Sequence, residues 1–253
     1  MTRLAALLGT VLLAALFAAP ASAETKQVDL ALVLAIDVSG SVNAERWELQ
    51  RHGYETAFKS PEVIQSVLGG QRKAIAVTMV EWSGANHQKQ VVDWMVITDS
   101  VTAEAFASAM AEAPRVYSDW TSISAGLDFA MPLFKASGLD ASRRVIDVSG
   151  DGVNNQGRNV SEARDEIVAQ GVIINGLPIL TEYDALDEYY HDRVIGGAGA
   201  FIEVAKDYSS FTHAVQAKLV REIVDNDARA RAILAHRWLN TPTQEAEAPD
   251  SAR

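Results

Sequence analysis

The stretch Leu30–Ser41, LALVLAIDVSGS, decides how the chain is read. Its aliphatic run ends at Asp37, and Ser39 and Ser41 follow at alternate positions. A continuous apolar run of this length suits a strand buried on both faces, as in a parallel sheet covered by helices. Such sheets bind ligands beyond the carboxyl ends of their strands, where Asp37, Ser39 and Ser41 fall. In extended backbone their i, i+2, i+4 spacing lines them on one side. All three side chains carry only oxygen donors, the type that a hard cation such as magnesium takes.

Outward from this stretch, strands and helices alternate. Asn43 is placed to cap a helix running to about Lys59, and Ser60-Pro61 opens a short helix, PEVIQSVL, closed by Gly69-Gly70. Residues 73–82 and 90–98 read as strands joined by a link short enough for an antiparallel hairpin. Residues 102–111 read as a helix, and Ile123, Leu127, Met131 and Phe134 mark one face of another. A third buried-type strand, RRVIDV (143–148), runs into the oxygen-rich turn SGDGVNNQG. A helix at 160–170, a strand at 172–180 and a last strand at 200–205 follow. Phe211, Val215, Leu219 and Ile223 then recur at i+4 in a closing amphipathic helix. The expected fold is α/β: a three-layer Rossmann-like sandwich with a mostly parallel central sheet, one antiparallel edge hairpin and helices on both faces.

Residues 1–23 read as a signal peptide, with Arg3, an apolar segment Leu4–Ala19 and the small-residue site Ala21-Ser22-Ala23. The main domain is expected over 24–225, a helical extension over 226–239, where Trp238 and Leu239 would cap the core or meet a partner, and a disordered tail over 240–253. The implied location is periplasmic or secreted, without membrane insertion after signal cleavage. The 253-residue chain has no cysteine, so it must hold together without disulfides. Its net charge of −11 argues against nucleic acid and anionic membranes as partners.

Two further oxygen-bearing turns complete a set: TSISAGL (121–127) at a helix start, and Gly150-Asp151-Gly152 after the third strand. DVSGS (37–41) matches the DxSxS signature of von Willebrand factor type A (VWA) domains, and TSISAGL resembles the family's later threonine loop. Gly150-Asp151-Gly152 resembles its strand-end T-D-G turn, with Gly150 in place of the threonine. Order and spacing agree over roughly residues 28–225. The resemblance implies a metal-ion-dependent adhesion site (MIDAS) held by Asp37, Ser39, Ser41, Thr121 and Asp151. It implies Mg²⁺, with Mn²⁺ or Ca²⁺ as other possible ions, and a protein partner that presents an Asp or Glu at an open metal position. Ser118-Asp119-Trp120 replaces the glycines often found before the threonine, which would either narrow the site or put Trp120 on its rim, and leaves open whether Thr121 or Ser122 points inward. Asp147, four residues before Asp151, is expected to miss the metal.

Taken singly, each turn has a plainer explanation, since a strand-end Asp commonly caps a helix or serves a turn. Residues 181–201, TEYDALDEYYHDRVIGGAGAF, interleave acids with tyrosines and resemble a bacterial group of exported VWA proteins of unassigned function. The segment reads either as a partner-binding loop near the site or as a short amphipathic helix covering a sheet edge. The five histidines lack metal-ligand spacing. The functional expectation is a non-enzymatic, metal-dependent binding module; a structural or assembly subunit with a vestigial site is the alternative. A metal-dependent hydrolase ranks behind both. A dehalogenase-type phosphatase would need an aspartate where Ser39 stands, and no GxSxG nucleophile turn is present.

Overall fold

The computed structural model describes residues 26–224 and 227–240. The expected signal peptide, the tail beyond 240 and the side chains of Trp238 and Leu239 lie outside the described residues. The first half of the described chain runs β1 (Gln27–Asp37), α1 (Ala44–Phe58), α2 (Pro61–Leu68), β2 (Ile75–Trp82), β3 (Gln88–Ile97), α3 (Ser100–Glu112) and α4 (Ile123–Ala136). The second half runs β4 (Asp140–Gly150), α5 (Val160–Val168), β5 (Ile173–Pro178), α6 (Leu186–Tyr189), α7 (Phe211–Val224) and α8 (Asp227–Asn240). A π-turn, Tyr190–Val194, continues α6.

The sheet order is β3-β2-β1-β4-β5, parallel throughout except for the β2–β3 hairpin. Because strand side chains alternate, β1 feeds both layers. Leu30, Leu32, Leu34 and Ile36 enter one core with Tyr54 and Phe58 of α1, Phe106 of α3 and Phe211, Val215 and Leu219 of α7. Ala31, Val33 and Ala35 enter the other with Ile123 and Leu127 of α4, Ala163 of α5 and Leu186 of α6. Full burial of each large aliphatic side chain contributes roughly 1.5–3 kcal/mol, so β1 is held from both sides.

Local chemistry sets the helix starts. Asn43 Oδ1 accepts the Arg46 N–H at 2.9 Å, and Ser60 Oγ accepts the Val63 N–H at 3.3 Å with Pro61 behind it. A reciprocal Asp99/Thr102 capping box opens α3.

The expected last strand at 200–205 does not form as a continuous strand; Ile202 and Ala205 make isolated parallel bridges to Gly176 and Ile179. The reason lies in β5. Gly176 N–H donates to Phe201 O at 3.1 Å, and the Glu203 and Ala205 N–H groups each donate at 3.0 Å, to Gly176 O and Pro178 O. The next rung would need an N–H from residue 178, and proline has none.

The helix after β1 packs on one face of the sheet and the helix after β4 on the other. In the register Ile36 lies opposite Ser149, so Asp37 and Gly150 leave the sheet side by side at this topological switch.

Candidate metal centre

Beyond Asp37 the backbone leaves the extended conformation, so the three oxygen side chains are gathered by a turn and not by strand alternation as the sequence suggested. Asp37 Oδ1 accepts the Ser39 N–H at 2.7 Å, and Val42 N–H donates to Ser39 O at 3.1 Å. Arg115, from the loop before Thr121, fixes the outside of this turn. Its Nη2 donates to Val38 O at 2.9 Å, Ser39 O at 3.2 Å and Val42 O at 2.5 Å. The Gly40 N–H meets Asp119 O at 2.7 Å, which ties the same two loops together again.

Inside the turn, Ser39 Oγ lies 3.2 Å from Ser41 Oγ, and Ser41 Oγ donates to Asp151 Oδ1 at 2.5 Å. Asp151 Oδ2 accepts from Tyr208 Oη at 3.0 Å and from Arg46 Nη1 at 3.4 Å. Asp37 Oδ2 is buried without a hydrogen-bond partner. Burial, and next the neighbouring Asp151 carboxylate, push the Asp37 carboxyl up to about 7 against the bonds from Ser39. Burial also raises Asp151, opposed by Ser41, Tyr208 and Arg46.

Gly150 replaces the threonine expected from the resemblance for a steric reason. A Cβ there would stand 2.8 Å from both Asp37 Oδ2 and Tyr190 Oη. Tyr190 Oη is itself buried and unpartnered, so two orphaned oxygens face the place a side chain would fill.

Thr121 sits across the cleft on the loop leading into α4. Its N–H donates to Asn155 Oδ1 at 2.9 Å, and its carbonyl accepts from the N–H groups of Asn155 at 2.9 Å and Gln156 at 3.2 Å. The Thr121 hydroxyl is 3.7 Å from where a Cβ on Gly152 would lie. Ser122 is instead the buried cap of α4, accepting the Ala125 N–H at 3.4 Å. Asp37, Ser39, Ser41 and Asp151 thus form one linked group, and Thr121 lines the adjoining cleft with Gly40, Ser41, Asp119, Trp120 and Asn155. Trp120 is 61% exposed on its rim. Among the described residues no three or more His, Asp or Glu side chains gather as a metal cluster; the oxygen-bearing side chains around this turn and cleft are two carboxylates and three hydroxyls. Unpartnered Asp37 Oδ2, two adjacent carboxylates and an all-oxygen donor set fit a hard divalent cation.

Four contributors escaped the sequence reading: Arg46, Arg115, Tyr190 and Tyr208. Within segment 181–201, α6 and the π-turn pack on the second core, and Glu182 pairs with Arg46 beside Asp151. Asp147 faces the opposite layer, where it pairs with the fully buried Lys218 at 2.7 Å. Glu222 contacts the same ammonium, and Asn175 Nδ2 donates to Glu222 Oε1 at 3.0 Å. His87 pairs with Asp119 at 2.8 Å and stacks on Tyr117.

No curated protein matches the sequence. Proximal thread matrix protein 1 from the mussel byssus superposes with a TM-score of 0.59 at 16% identity, over 80% of this chain and 49% of that one. Another form of that protein, described as having a zinc-occupied MIDAS motif, gives a TM-score of 0.55 at 15% identity, over 80% of this chain and 49% of that one. The von Willebrand factor type A protein from Catenulispora acidiphila gives 0.55 at 12% identity, over 78% of this chain and 43% of that one. The pilus adhesin SpaC from Lactobacillus rhamnosus GG also gives 0.55, at 16% identity, over 80% of this chain and 31% of that one. The chain thus spans about half or less of these structures, and what they share with it is the VWA-type fold. The model of one family, described as protein of unknown function (DUF1194), matches residues 27–227, and the chain belongs to that family.

Proposed function

We propose that this protein is an exported binding module whose site takes up one divalent cation and, through it, an acidic side chain of a protein partner. The observation that carries the reading is Asp37 Oδ2, a buried carboxylate oxygen with no protein partner beside a second carboxylate. Leaving such a buried group unsatisfied costs about 1–3 kcal/mol, and more when it is charged, and a cation removes that cost. Ser39, Ser41 and Thr121 would supply neutral oxygens, and Asp37 and Asp151 the charge. Mg²⁺ is the ion we favour, with Mn²⁺ or Ca²⁺ as alternatives. A bound dication supplies a Lewis-acidic centre that accepts an outside carboxylate oxygen. Arg115 holds the turn, and Tyr208 and Ser41 orient Asp151. The matrix and adhesin descriptions of the similar structures support a binding role over an enzymatic one, as does the use of both serine hydroxyls within the Asp151 network. The signal-like residues 1–23 support a periplasmic or secreted location. No helix among the described residues is long and apolar enough to cross a membrane.

The test is capture of partner proteins on the immobilised protein in Mg²⁺, followed by chelator. Release by chelator, and no capture by Asp37→Asn, is the expected result. Capture indifferent to both would favour the structural or assembly role instead.

A further inference from the structure

Arg46 bridges a buried and an exposed carboxylate. Its Nη1 reaches three oxygens: Ser41 O at 2.9 Å, Asp151 Oδ2 at 3.4 Å and Glu182 Oε1. The guanidinium lies 5.4 Å from the centre of the Tyr208 ring, whose hydroxyl bonds the same Asp151 oxygen. An Nη carries two hydrogens, so three acceptors oversubscribe it, and the longest contact, to Asp151, is the one that can be surrendered. Glu182 is the exposed partner of the pair and Asp151 the buried one, with side chains 47% and 0% exposed.

From this geometry we infer that Arg46 is a built-in counter-cation that competes with the divalent ion for Asp151, and that Glu182 sets the strength of the competition by drawing Arg46 outward. The inference rests on the proposed metal-binding reading and adds an affinity-setting pair to it. With no ion bound, Arg46 neutralises part of the charge on Asp151. An ion at the site adds two positive charges close to the guanidinium, so the Arg46–Asp151 contact turns from an asset into a repulsion. Glu182 then becomes the carboxylate that keeps Arg46 paired. Arg46 stands on the first turn of α1, directly after the DVSGS turn, and Glu182 follows β5, so the pair also links the metal turn to segment 181–201.

The pair of substitutions has opposite expected signs. Calorimetric titration with Mg²⁺ should show Arg46→Gln binding roughly tenfold more tightly than wild type at low salt, with the gain shrinking in about 1 M salt. Arg46→Lys, which keeps the charge, should stay near wild type. Glu182→Gln should bind about threefold more weakly, because Arg46 falls back on Asp151. That loss should shrink to less than half in the Arg46→Gln background, since Glu182 acts through Arg46. Weaker or unchanged binding by Arg46→Gln, or tighter binding by Glu182→Gln, would overturn the inference while leaving the metal site standing. Glu182 is surface-exposed, so its variant folds whatever happens at Arg46. No Mg²⁺ uptake by the wild type would overturn both readings.

Discussion

Replacing Asp37 by Asn should make the metal-free protein more stable while abolishing its response to metal. Asn keeps the Oδ1 that accepts the Ser39 N–H at 2.7 Å, so the turn survives. What it removes is a buried charge. Burial and Asp151 raise the Asp37 carboxyl from 3.8 to about 7. Below about pH 4 the group is protonated whether the chain is folded or not, and it costs nothing. As pH rises toward 7 the unfolded chain ionises first, and the metal-free folded state loses stability, by roughly 4 kcal/mol once both forms are charged. The Asn amide returns about 1–2 kcal/mol of that as an imperfectly paired buried donor. The net gain at pH 8 is therefore about 2 kcal/mol, or roughly 5 °C in midpoint for a domain of this size. Thermal unfolding in chelator at pH 8 and pH 5 measures it, and the advantage of the variant should largely vanish at the lower pH. In Mg²⁺ at about 100 times Kd the wild type should gain roughly 2.7 kcal/mol and the variant nothing. A variant less stable than wild type in chelator at pH 8, or one stabilised equally by Mg²⁺, would refute the reasoning.

Three other perturbations follow from the packing. Lys218→Met strands the carboxylates of Asp147 and Glu222 in the core and should cost about 3–5 kcal/mol at pH 8, read by denaturant titration; the deficit should shrink toward pH 5 as Asp147, which burial raises to about 7, protonates. Gly150→Ala drives a methyl to 2.8 Å from Asp37 Oδ2 and Tyr190 Oη and should cost about 1–3 kcal/mol by the same assay, partly recovered by adding Tyr190→Phe. Arg115→Gln removes the donors that hold three carbonyls of the Val38–Val42 turn and should lower both stability, by about 2 kcal/mol, and Mg²⁺ affinity in calorimetry.

The parts of the fold legible in the sequence were those written in short-range pattern. The run ending at Asp37 announced a strand buried on both faces, and β1 is that strand, flanked by parallel neighbours. The i+4 spacing of Phe211, Val215, Leu219 and Ile223 announced α7, whose four residues are all buried. The strand expected at 200–205 failed because its pairing depends on a donor that Pro178, in another segment, lacks. Alternation along the sequence puts Ser39 and Ser41 on extended backbone, whereas an Asp37–Ser39 bond turns the chain; a period of two carries no sign of that bond. The supporting side chains were illegible for a related reason. Arg115, Tyr190 and Tyr208 reach the site from separate loops and a π-turn, and no spacing within their own segments encodes the meeting. Gly150 was legible only as a departure from the family pattern; the crowding by Asp37 and Tyr190 that explains it is tertiary.

The most direct test of the central claim is anomalous diffraction from crystals grown in Mn²⁺. The expected result is one anomalous peak per chain, bounded by Asp37, Ser39, Ser41, Thr121 and Asp151 and absent in Asp37→Asn. A map without a peak at that position, or with the ion held elsewhere on the chain, would contradict it.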